Sequence, residues 1–178
     1  MWRWNCCACT ATRGAWRRAD PVLRLLILVL LLAAAGALLF VRLAPGRAAD
    51  WHRDPLLAER PGTPNHHLIR PAGGDGVAPI YAMTPAELAA ALDRIARADG
   101  ARLLAGDVEE GHMTYISRSP AFGFPDYTSL RVVPAGTGAT FAALARARFG
   151  RSDMGVNRAR LKRWMAALPD DDAAPQPQ

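Results

Sequence analysis

The stretch MTPAELAAALDRIARADG, residues 83–100, sets the fold class of this chain. Its tetrad TPAE, residues 84–87, has the order of a capping box with proline at the first helical position. The residues that follow at helical spacing are apolar: Leu88, Ala91, Leu92 and Ile95. Gly100 suits the left-handed position that ends many helices. The pattern predicts an amphipathic helix over residues 85–98.

Beyond this helix the hydrophobic period becomes that of strands. Residues 102–105 form a short apolar segment, and Glu110 with Gly111 resembles a hairpin turn. Residues 112–118 and 126–133 read as strands, and the second is followed by a turn at 136–138. The next segment, ATFAALARARF, is ambiguous because its alanines favour a helix whereas its alternation also fits a strand.

The basic stretch RFGRSDMGVNRARLKRW, residues 148–164, opens the last predicted helix. Ser152 or Asp153 is a suitable N-cap, with Asn157 as a later alternative. The apolar stripe of this helix is predicted to contain Met154, Leu161, Trp164, Met165 and Leu168. The predicted water-facing residues are Arg158, Lys162 and Arg163. The helix is expected to end before Pro169.

Together these elements predict an α+β domain. It has a small antiparallel sheet of three to five strands and two packed helices, and one N-terminal transmembrane helix precedes it. The predicted divisions are a short tail at 1–21, a transmembrane helix at 22–43, a Pro/Gly-rich linker and entry loop at 44–79, the α+β domain at 80–168 and a disordered tail at 169–178.

The predicted transmembrane helix contains a run of 17 residues, Leu25 to Val41, without one polar side chain. Extended to residues 22–43, with Arg24 reaching outward, the helix would cover about 30 Å, the thickness of the hydrocarbon layer. A cleaved signal peptide is the alternative, because a basic segment precedes the run and small residues follow it. The length of the run favours an uncleaved single-pass anchor.

The net charge of +6 is concentrated in the leader. Residues 1–43 hold six arginines and one acid, whereas residues 44–178 hold 16 basic and 15 acidic residues. This distribution argues against nucleic acid as a partner of the domain. All three cysteines, Cys6, Cys7 and Cys9, lie in the N-terminal tail. Together with a slight excess of arginine before the apolar run, they predict a cytoplasmic N-terminus and a domain on the oxidising side.

Metal and cofactor sites are not predicted. The CCAC cluster has three thiols but no partner histidine, which makes a poor zinc site. The adjacent His66 and His67 lack further ligands at fixed spacing, and His52 and His112 are distant in sequence.

The stretches RSPAFGFPDY, residues 118–127, and ARARFGRSDMGVNRARLKRW, residues 145–164, resemble the bacterial domain-of-unknown-function family 1499. PNHHLIRP, residues 64–71, looks like the loop with which that family begins, and the likeness spans about residues 60–168. Better-known members have a cysteine and serines where His66 and His67 follow the asparagine here, so no role rests on a thiol. The resemblance implies that residues 139–149 form a strand. It also implies a bacterial protein, so the orientation inferred above places the anchor in the inner membrane and the domain in the periplasm.

The residues shared with the family suggest an anion site. Those expected near strand ends and a helix N-terminus are Arg118, Asp126, Arg146, Arg148, Arg151, Asp153, Asn157 and Arg158. Guanidinium groups and free amides there would bind a phosphate, sulfate or carboxylate. In the opposing interpretation, Asp126 and Asp153 pair with the arginines and the cluster is architectural.

We therefore predict a membrane-anchored cell-envelope protein that binds an anionic ligand or an envelope protein partner. One alternative is a hydrolase-type enzyme with His112 or Asp126 as acid or base and Ser119 or Ser152 as nucleophile. The sequence has no nucleophile elbow, metal motif or phosphate-binding glycine loop, so the enzyme is the weaker reading and no catalytic residue is assigned. A structural subunit of a membrane assembly is the other alternative.

Overall fold

A computed structural model describes residues 20–169 of the chain. The predicted N-terminal tail, with its three cysteines, lies outside the described residues except at its last two positions. The predicted disordered tail lies outside them except at Pro169. The chain divides between Ala37 and Leu38 into two compact units.

The described residues form four helices and five strands. In chain order these elements are α1 (Pro21–Leu43), α2 (Ala48–Trp51), β1 (His66–Ile69), α3 (Pro85–Ala98), β2 (Arg102–Asp107), β3 (His112–Arg118), β4 (Pro125–Ala135), β5 (Gly138–Ala147) and α4 (Val156–Ala166). The stretch predicted as a linker and entry loop, residues 44–79, thus contains the short helix α2 and the strand β1.

Helix α1 has 23 residues, and none of them is buried. It is the one helix among the described residues that is long and apolar enough to cross a membrane. A signal sequence near an N-terminus passes the same test of length and composition. The apolar run that the sequence analysis picked out therefore forms one helix of the predicted length and composition.

The five strands form one sheet in the order β1-β5-β4-β3-β2, and every neighbouring pair is antiparallel. Both α3 and α4 contact β5 and contact each other, so they cover one face of the sheet. The prediction of an α+β fold with a small antiparallel sheet and two packed helices is confirmed.

Helix α3 begins and ends where the sequence predicted. The N–H of Thr84 donates to Glu87 Oε2 at 2.8 Å, and the N–H of Glu87 donates to Thr84 Oγ1 at 3.3 Å, which is the expected capping box. Leu88 and Leu92 are fully buried against the sheet. Each such side chain contributes about 1.5–3 kcal/mol relative to an exposed one. Gly100 has the expected left-handed conformation, with φ of 82°.

Strand β5 resolves the ambiguity of the alanine-rich segment. It lies between β1 and β4, so its backbone is hydrogen-bonded on both sides. Its alanines at 139, 142, 143 and 145 are all buried. Small side chains fit a strand that is covered on both faces, and this tertiary packing overrides the helical propensity of alanine.

The beginning of α4 differs from the prediction. The N-cap position is Gly155, with φ of 81°, rather than Ser152, Asp153 or Asn157. Asp153 nevertheless satisfies the first turn, because its carboxylate accepts the N–H groups of Gly155 at 3.1 Å and Asn157 at 2.8 Å. The prediction that Met154 joins the apolar stripe is wrong. Met154 precedes the helix in a left-handed conformation and is 96% exposed.

Candidate functional site

The face of the sheet opposite α3 and α4 is covered by residues 44–59, which we call the cover segment. Side chains alternate along a strand, so Tyr127 and Arg146, paired across β4 and β5, point away from the two helices. The ring of Trp51 stacks on that of Tyr127 with centroids 3.9 Å apart and planes 12° apart. Ser129 Oγ donates to the carbonyl oxygen of Trp51 at 3.0 Å. The cover segment therefore packs as part of the domain.

Arg146 is a mostly buried cation on this covered face. Its Nη2 donates to the carbonyl oxygen of Trp51 at 3.0 Å, and its guanidinium carbon lies 4.9 Å from the Trp51 ring centroid. Its Nε is buried without a hydrogen-bond partner, and within residues 20–169 no carboxylate forms an ion pair with it. Burial, and then the nearby charge of Arg53, lower the pKa of the guanidinium. An anion bound here would offset the cost of the buried charge.

A pocket of about 630 Å³ opens beside Arg146, between the cover segment and β5. Its volume is in the range of small-molecule sites. Besides Arg146, β5 contributes Leu144. The cover segment contributes His52, Arg53, Asp54, Leu57, Ala58 and Glu59.

Neither carboxylate of this pocket forms an ion pair with Arg146. Asp54 Oδ1 accepts the N–H of Leu56 at 2.9 Å, and its Oδ2 lies 3.8 Å from Nε of Arg131. Arg53 is exposed and has no ion pair within the described part of the chain. No acid that lines the pocket is therefore in direct contact with the guanidinium of Arg146 or Arg53.

His52 closes the pocket on the side of β3. Its ring stacks on that of His112 at a centroid distance of 3.9 Å, and its Nδ1 lies 2.8 Å from Thr114 Oγ1. Burial, and then the nearby His112, lower the pKa of His52. The neutral imidazole is thus the favoured form on this face.

The structure does not bring the eight predicted site residues together. Asp126 and Asn157 lie on the helix side, where both bind Arg160. Asp126 Oδ2 accepts from Nη2 of Arg160 at 3.1 Å, and Asn157 Oδ1 accepts from Nη1 at 2.6 Å. Burial raises the pKa of Asp126, while Arg160 opposes that shift. This cluster is internally compensated, through an arginine that the prediction did not include.

Two further predicted residues lie at the end of the sheet where β3 and β5 finish. Arg148 Nη1 donates to the carbonyl oxygen of Pro45 at 2.6 Å, and its guanidinium carbon lies 5.4 Å from the ring centroid of Phe149. Arg118 Nη1 donates to the carbonyl oxygen of Gly123 at 3.0 Å. Their partners are backbone carbonyls, the hydroxyl of Tyr127 and an aromatic ring rather than acids.

The remaining predicted residues surround the start of α4. The carboxylate of Asp153 accepts hydrogen bonds from backbone N–H groups of the first turn. Arg151 and Arg158 are exposed and make no ion pair among residues 20–169. Arg158 borders a second pocket, and Arg146 alone of the eight borders the first.

The second pocket has a volume of about 440 Å³ and is lined by Arg60, Pro64, His66, His67, Asp75 and Arg158. Its acid is already bound, because Asp75 lies 3.0 Å from Arg60 Nη1 and accepts the N–H of Leu68 at 2.8 Å. Burial lowers the pKa of His67. Within residues 20–169 no group of three His, Cys, Asp or Glu residues is placed to hold a metal ion.

The residues of the enzyme alternative are separate in the structure. Ser119 Oγ accepts the N–H of Phe124 at 3.0 Å, and Ser152 Oγ accepts that of Met154 at 3.3 Å. Neither serine is hydrogen-bonded to His112 or Asp126. This arrangement supplies no nucleophile with an adjacent base.

Sequence reasoning missed Trp51, His52 and Arg53 because it treated the cover segment as a linker. A tryptophan in a Pro/Gly-rich stretch was the available signal, since such a large apolar ring is usually packed. Arg160 was also missed. Arg160 lies four residues before Trp164, so it shares the buried side of α4 with that residue.

Comparison with known proteins supports the resemblance seen in the sequence. The family model described as "Protein of unknown function (DUF1499)" matches residues 56–168, so the chain belongs to that family. No curated protein and no solved structure gives a significant match. The matched region includes β5 and Arg146 but begins after Trp51, His52 and Arg53.

Proposed function

We propose that this member of the DUF1499 family is a membrane-anchored accessory protein of the bacterial cell envelope that binds a small anion at Arg146. Arg53 would supply a second guanidinium from the cover segment. One observation carries the proposal: the guanidinium of Arg146 is mostly buried, its Nε has no hydrogen-bond partner, and no carboxylate within residues 20–169 pairs with it.

The physical reason is the cost of burying a charge without a counter-charge. A single buried ion is destabilising until a group of opposite sign and hydrogen-bonding capacity approaches it. The planar guanidinium presents its donors in a fork that matches carboxylate and phosphate oxygens. Because Arg146 already donates through Nη2 to Trp51, its remaining donors are the ones left for a ligand.

The lining of the pocket suggests the class of ligand. Leu57 and Leu144 provide apolar surface, and the two acids of the pocket disfavour a large polyanion. A small anion with an apolar portion, such as a carboxylate or a phosphate ester, fits this lining better than a nucleic acid does.

The proposed location is the inner membrane, with α1 as a single span, the N-terminus in the cytoplasm and the domain in the periplasm. Its supports are the length and composition of α1, the slight arginine excess before it and the confinement of the cysteines to the tail.

Ligand binding is testable with the purified full-length chain in detergent micelles. We expect phosphate, sulfate or acetate to raise the melting temperature, because a ligand at 100 times its Kd stabilises a protein by about 2.7 kcal/mol. The Arg146→Met variant should lose this response, and Arg53→Met should weaken it. The matched control is Arg102→Met, on an exposed position of β2 at the far edge of the sheet.

Two results would contradict the binding proposal. One is an Arg146→Met variant that responds to the anions as the unsubstituted chain does. The other is an unsubstituted chain that responds to none of the three anions, which would favour the structural-subunit alternative.

The topology is tested separately in cells whose outer membrane has been opened. A protease added outside the inner membrane should digest the domain while the N-terminal tail stays protected. Digestion of the tail with protection of the domain would reverse the proposed orientation without affecting the anion site.

A further inference from the structure

Three phenylalanines, two of them exposed and one partly buried, form a group at the end of the sheet where β3 finishes and β4 begins. We call this group, Phe122, Phe124 and Phe149, the aromatic end. Phe122 is 54% and Phe124 is 39% exposed. Ring centroids lie 6.0 Å apart for Phe122 and Phe124 and 6.2 Å apart for Phe124 and Phe149. Adjacent exposed rings of this kind mark an interaction surface more often than isolated apolar residues do.

The loop that carries two of these rings is held in one conformation. The N–H of Ser119 donates to the carbonyl oxygen of Phe124 at 3.0 Å, and the N–H of Gly123 donates back to that of Ser119 at 2.9 Å. Ser119 Oγ accepts the N–H of Phe124, and Gly123 takes a left-handed φ of 74°. Because the loop is fixed by these bonds, the exposure of its rings follows from the fold.

Arginines surround the aromatic end. Arg118 lies beside the loop, bonded to the carbonyl oxygen of Gly123, and Arg148 lies over the ring of Phe149. Arg151 is exposed two residues beyond Phe149. Within residues 20–169 none of these three arginines forms an ion pair with a carboxylate. The surface thus combines exposed rings with uncompensated positive charge.

The chain that leaves α1 is fixed to the same end of the sheet. Helix α1 ends at Leu43, Ala44 is 2% exposed, and the carbonyl oxygen of Pro45 accepts from Arg148 Nη1. Two residues of chain span at most about 7 Å. The side chain of Arg148, and the ring of Phe149 beneath it, are therefore held close to the last residue of α1.

We propose that the aromatic end lies in the headgroup layer of the bilayer that α1 spans, with its phenylalanines at the boundary of the acyl chains and its arginines on lipid phosphates. This inference rests on the membrane anchoring proposed above. In segments that lie on a bilayer, phenylalanines are buried at the boundary between headgroups and acyl chains, and basic residues near the surface are attracted to anionic lipids. The short tether selects the bilayer as the occupant, because it holds this end of the domain beside the end of the span.

The test uses the full-length chain with Cys6, Cys7 and Cys9 replaced by serine, inserted singly into nanodiscs that contain anionic phospholipid. One spin label is placed by Ala121→Cys, inside the aromatic-end loop. The control label is placed by Thr137→Cys, in the exposed turn at the opposite end of β4. Collision of each label with oxygen, which concentrates in lipid, is compared with collision with a water-soluble nickel chelate.

We expect the ratio of oxygen to nickel accessibility to be several-fold higher at 121 than at 137. Adding Phe122→Ser and Phe124→Ser should abolish that difference. Equal ratios at the two labels in a chain that stays with the disc would overturn this inference alone, and would leave a protein partner as the better occupant. A chain that does not stay with the disc overturns the membrane anchor as well.

Discussion

The two faces of the sheet are covered in physically different ways. The helix-covered face is apolar around Trp164, which is 1% exposed, and its charged group, Arg160, is paired with Asp126. The face under the cover segment is held by ring stacking and hydrogen bonds, and one of its charged groups, Arg146, has no acidic partner among residues 20–169.

This difference separates architecture from a candidate site. A buried charge whose partner belongs to the same fold is compensated before any ligand arrives. One that lacks such a partner and borders a pocket remains available to a ligand. The four predictions below test this comparison.

The largest expected effect contrasts the two tryptophans. Trp164 is fully buried, packs edge-on against Tyr115 and donates from Nε1 to Asp99 Oδ2 at 2.9 Å. We expect Trp164→Ala to lower the free energy of unfolding by about 3–5 kcal/mol. Trp51→Ala should cost roughly 1–2 kcal/mol, because Trp51 is partly exposed. Urea denaturation of the full chain in detergent, followed by circular dichroism, measures both values.

Equal losses for the two variants would show that the cover segment is as much a part of the core as α4 is. The two faces would then differ only in whether their arginine, Arg160 or Arg146, has an acidic partner.

The second contrast is between Arg160, which is buried, and Arg146, which is partly buried. Arg160→Met leaves Asp126 buried without its partner and should lower the free energy of unfolding by roughly 3 kcal/mol. Arg146→Met removes a buried charge that no acid balances, so we expect stability within about 1 kcal/mol of the unsubstituted chain. The same denaturation experiment, without added anions, measures the two variants.

The pH dependence gives a control for the Arg160 variant. Burial raises the pKa of Asp126, and loss of Arg160 removes a group that opposes this shift. A carboxyl with a raised folded-state pKa binds its proton more tightly in the folded chain than in the unfolded chain. The free energy that its buried charge costs the fold therefore decreases as the pH falls through that pKa. The loss in free energy of unfolding caused by Arg160→Met should therefore be smaller near pH 5 than near pH 8. A deficit that grows on acidification would contradict this assignment.

Local signals were sufficient to predict α3 and the turns between strands on the helix-covered side, but they misplaced the start of α4. The capping box and glycine stop of α3, the hairpin at Gly111 and the turn at Gly136 each depend on a few neighbouring residues. Strand β5 needed more than local pattern. Its alanines are strand residues because other elements cover both of its faces, and only the family resemblance conveyed that in advance.

The candidate site was predictable only in part. Arg146 was named from the sequence, but its neighbours were expected to be other residues of the family motif. The face of the strand to which each side chain points decides which charged residues come together. Arg146 and Ala147 point to opposite faces of β5. Asp126 pairs with Ala147 across the sheet, so it is separated from Arg146. The cover segment has no periodicity, and its packing follows from tertiary contacts made by Trp51 and His52.

A smaller effect is expected from the cap of α4, on the architectural side of the comparison. Asp153 accepts two backbone N–H groups of the first turn, so Asp153→Ala should cost about 1 kcal/mol. Ser152→Ala is the matched control, because Ser152 Oγ accepts only the N–H of Met154, at 3.3 Å, outside the helix. Thermal denaturation of both variants distinguishes the capping residue. A larger loss for Ser152→Ala would assign the cap to the residue that the structure leaves outside it.

The smallest effect is a pH dependence that arises on the covered face. Burial and the nearby His112 lower the pKa of His52, so the folded chain binds that proton more weakly than the unfolded chain does. The stability that His52 contributes is therefore present above its unfolded pKa of about 6.5 and is lost as the pH falls through that value and below it. His52→Asn keeps a polar group near Thr114 but cannot titrate, so it should lose less stability than the unsubstituted chain between pH 7.5 and 5.5. Denaturation series at the two pH values measure the difference.

Identical losses would show that the histidine stack adds no charge-sensitive contact to this face. A greater loss in the unsubstituted chain would mean that acid weakens the covered face through His52, which is the opposite direction to the one that the raised pKa of Asp126 implies for the helix-covered face.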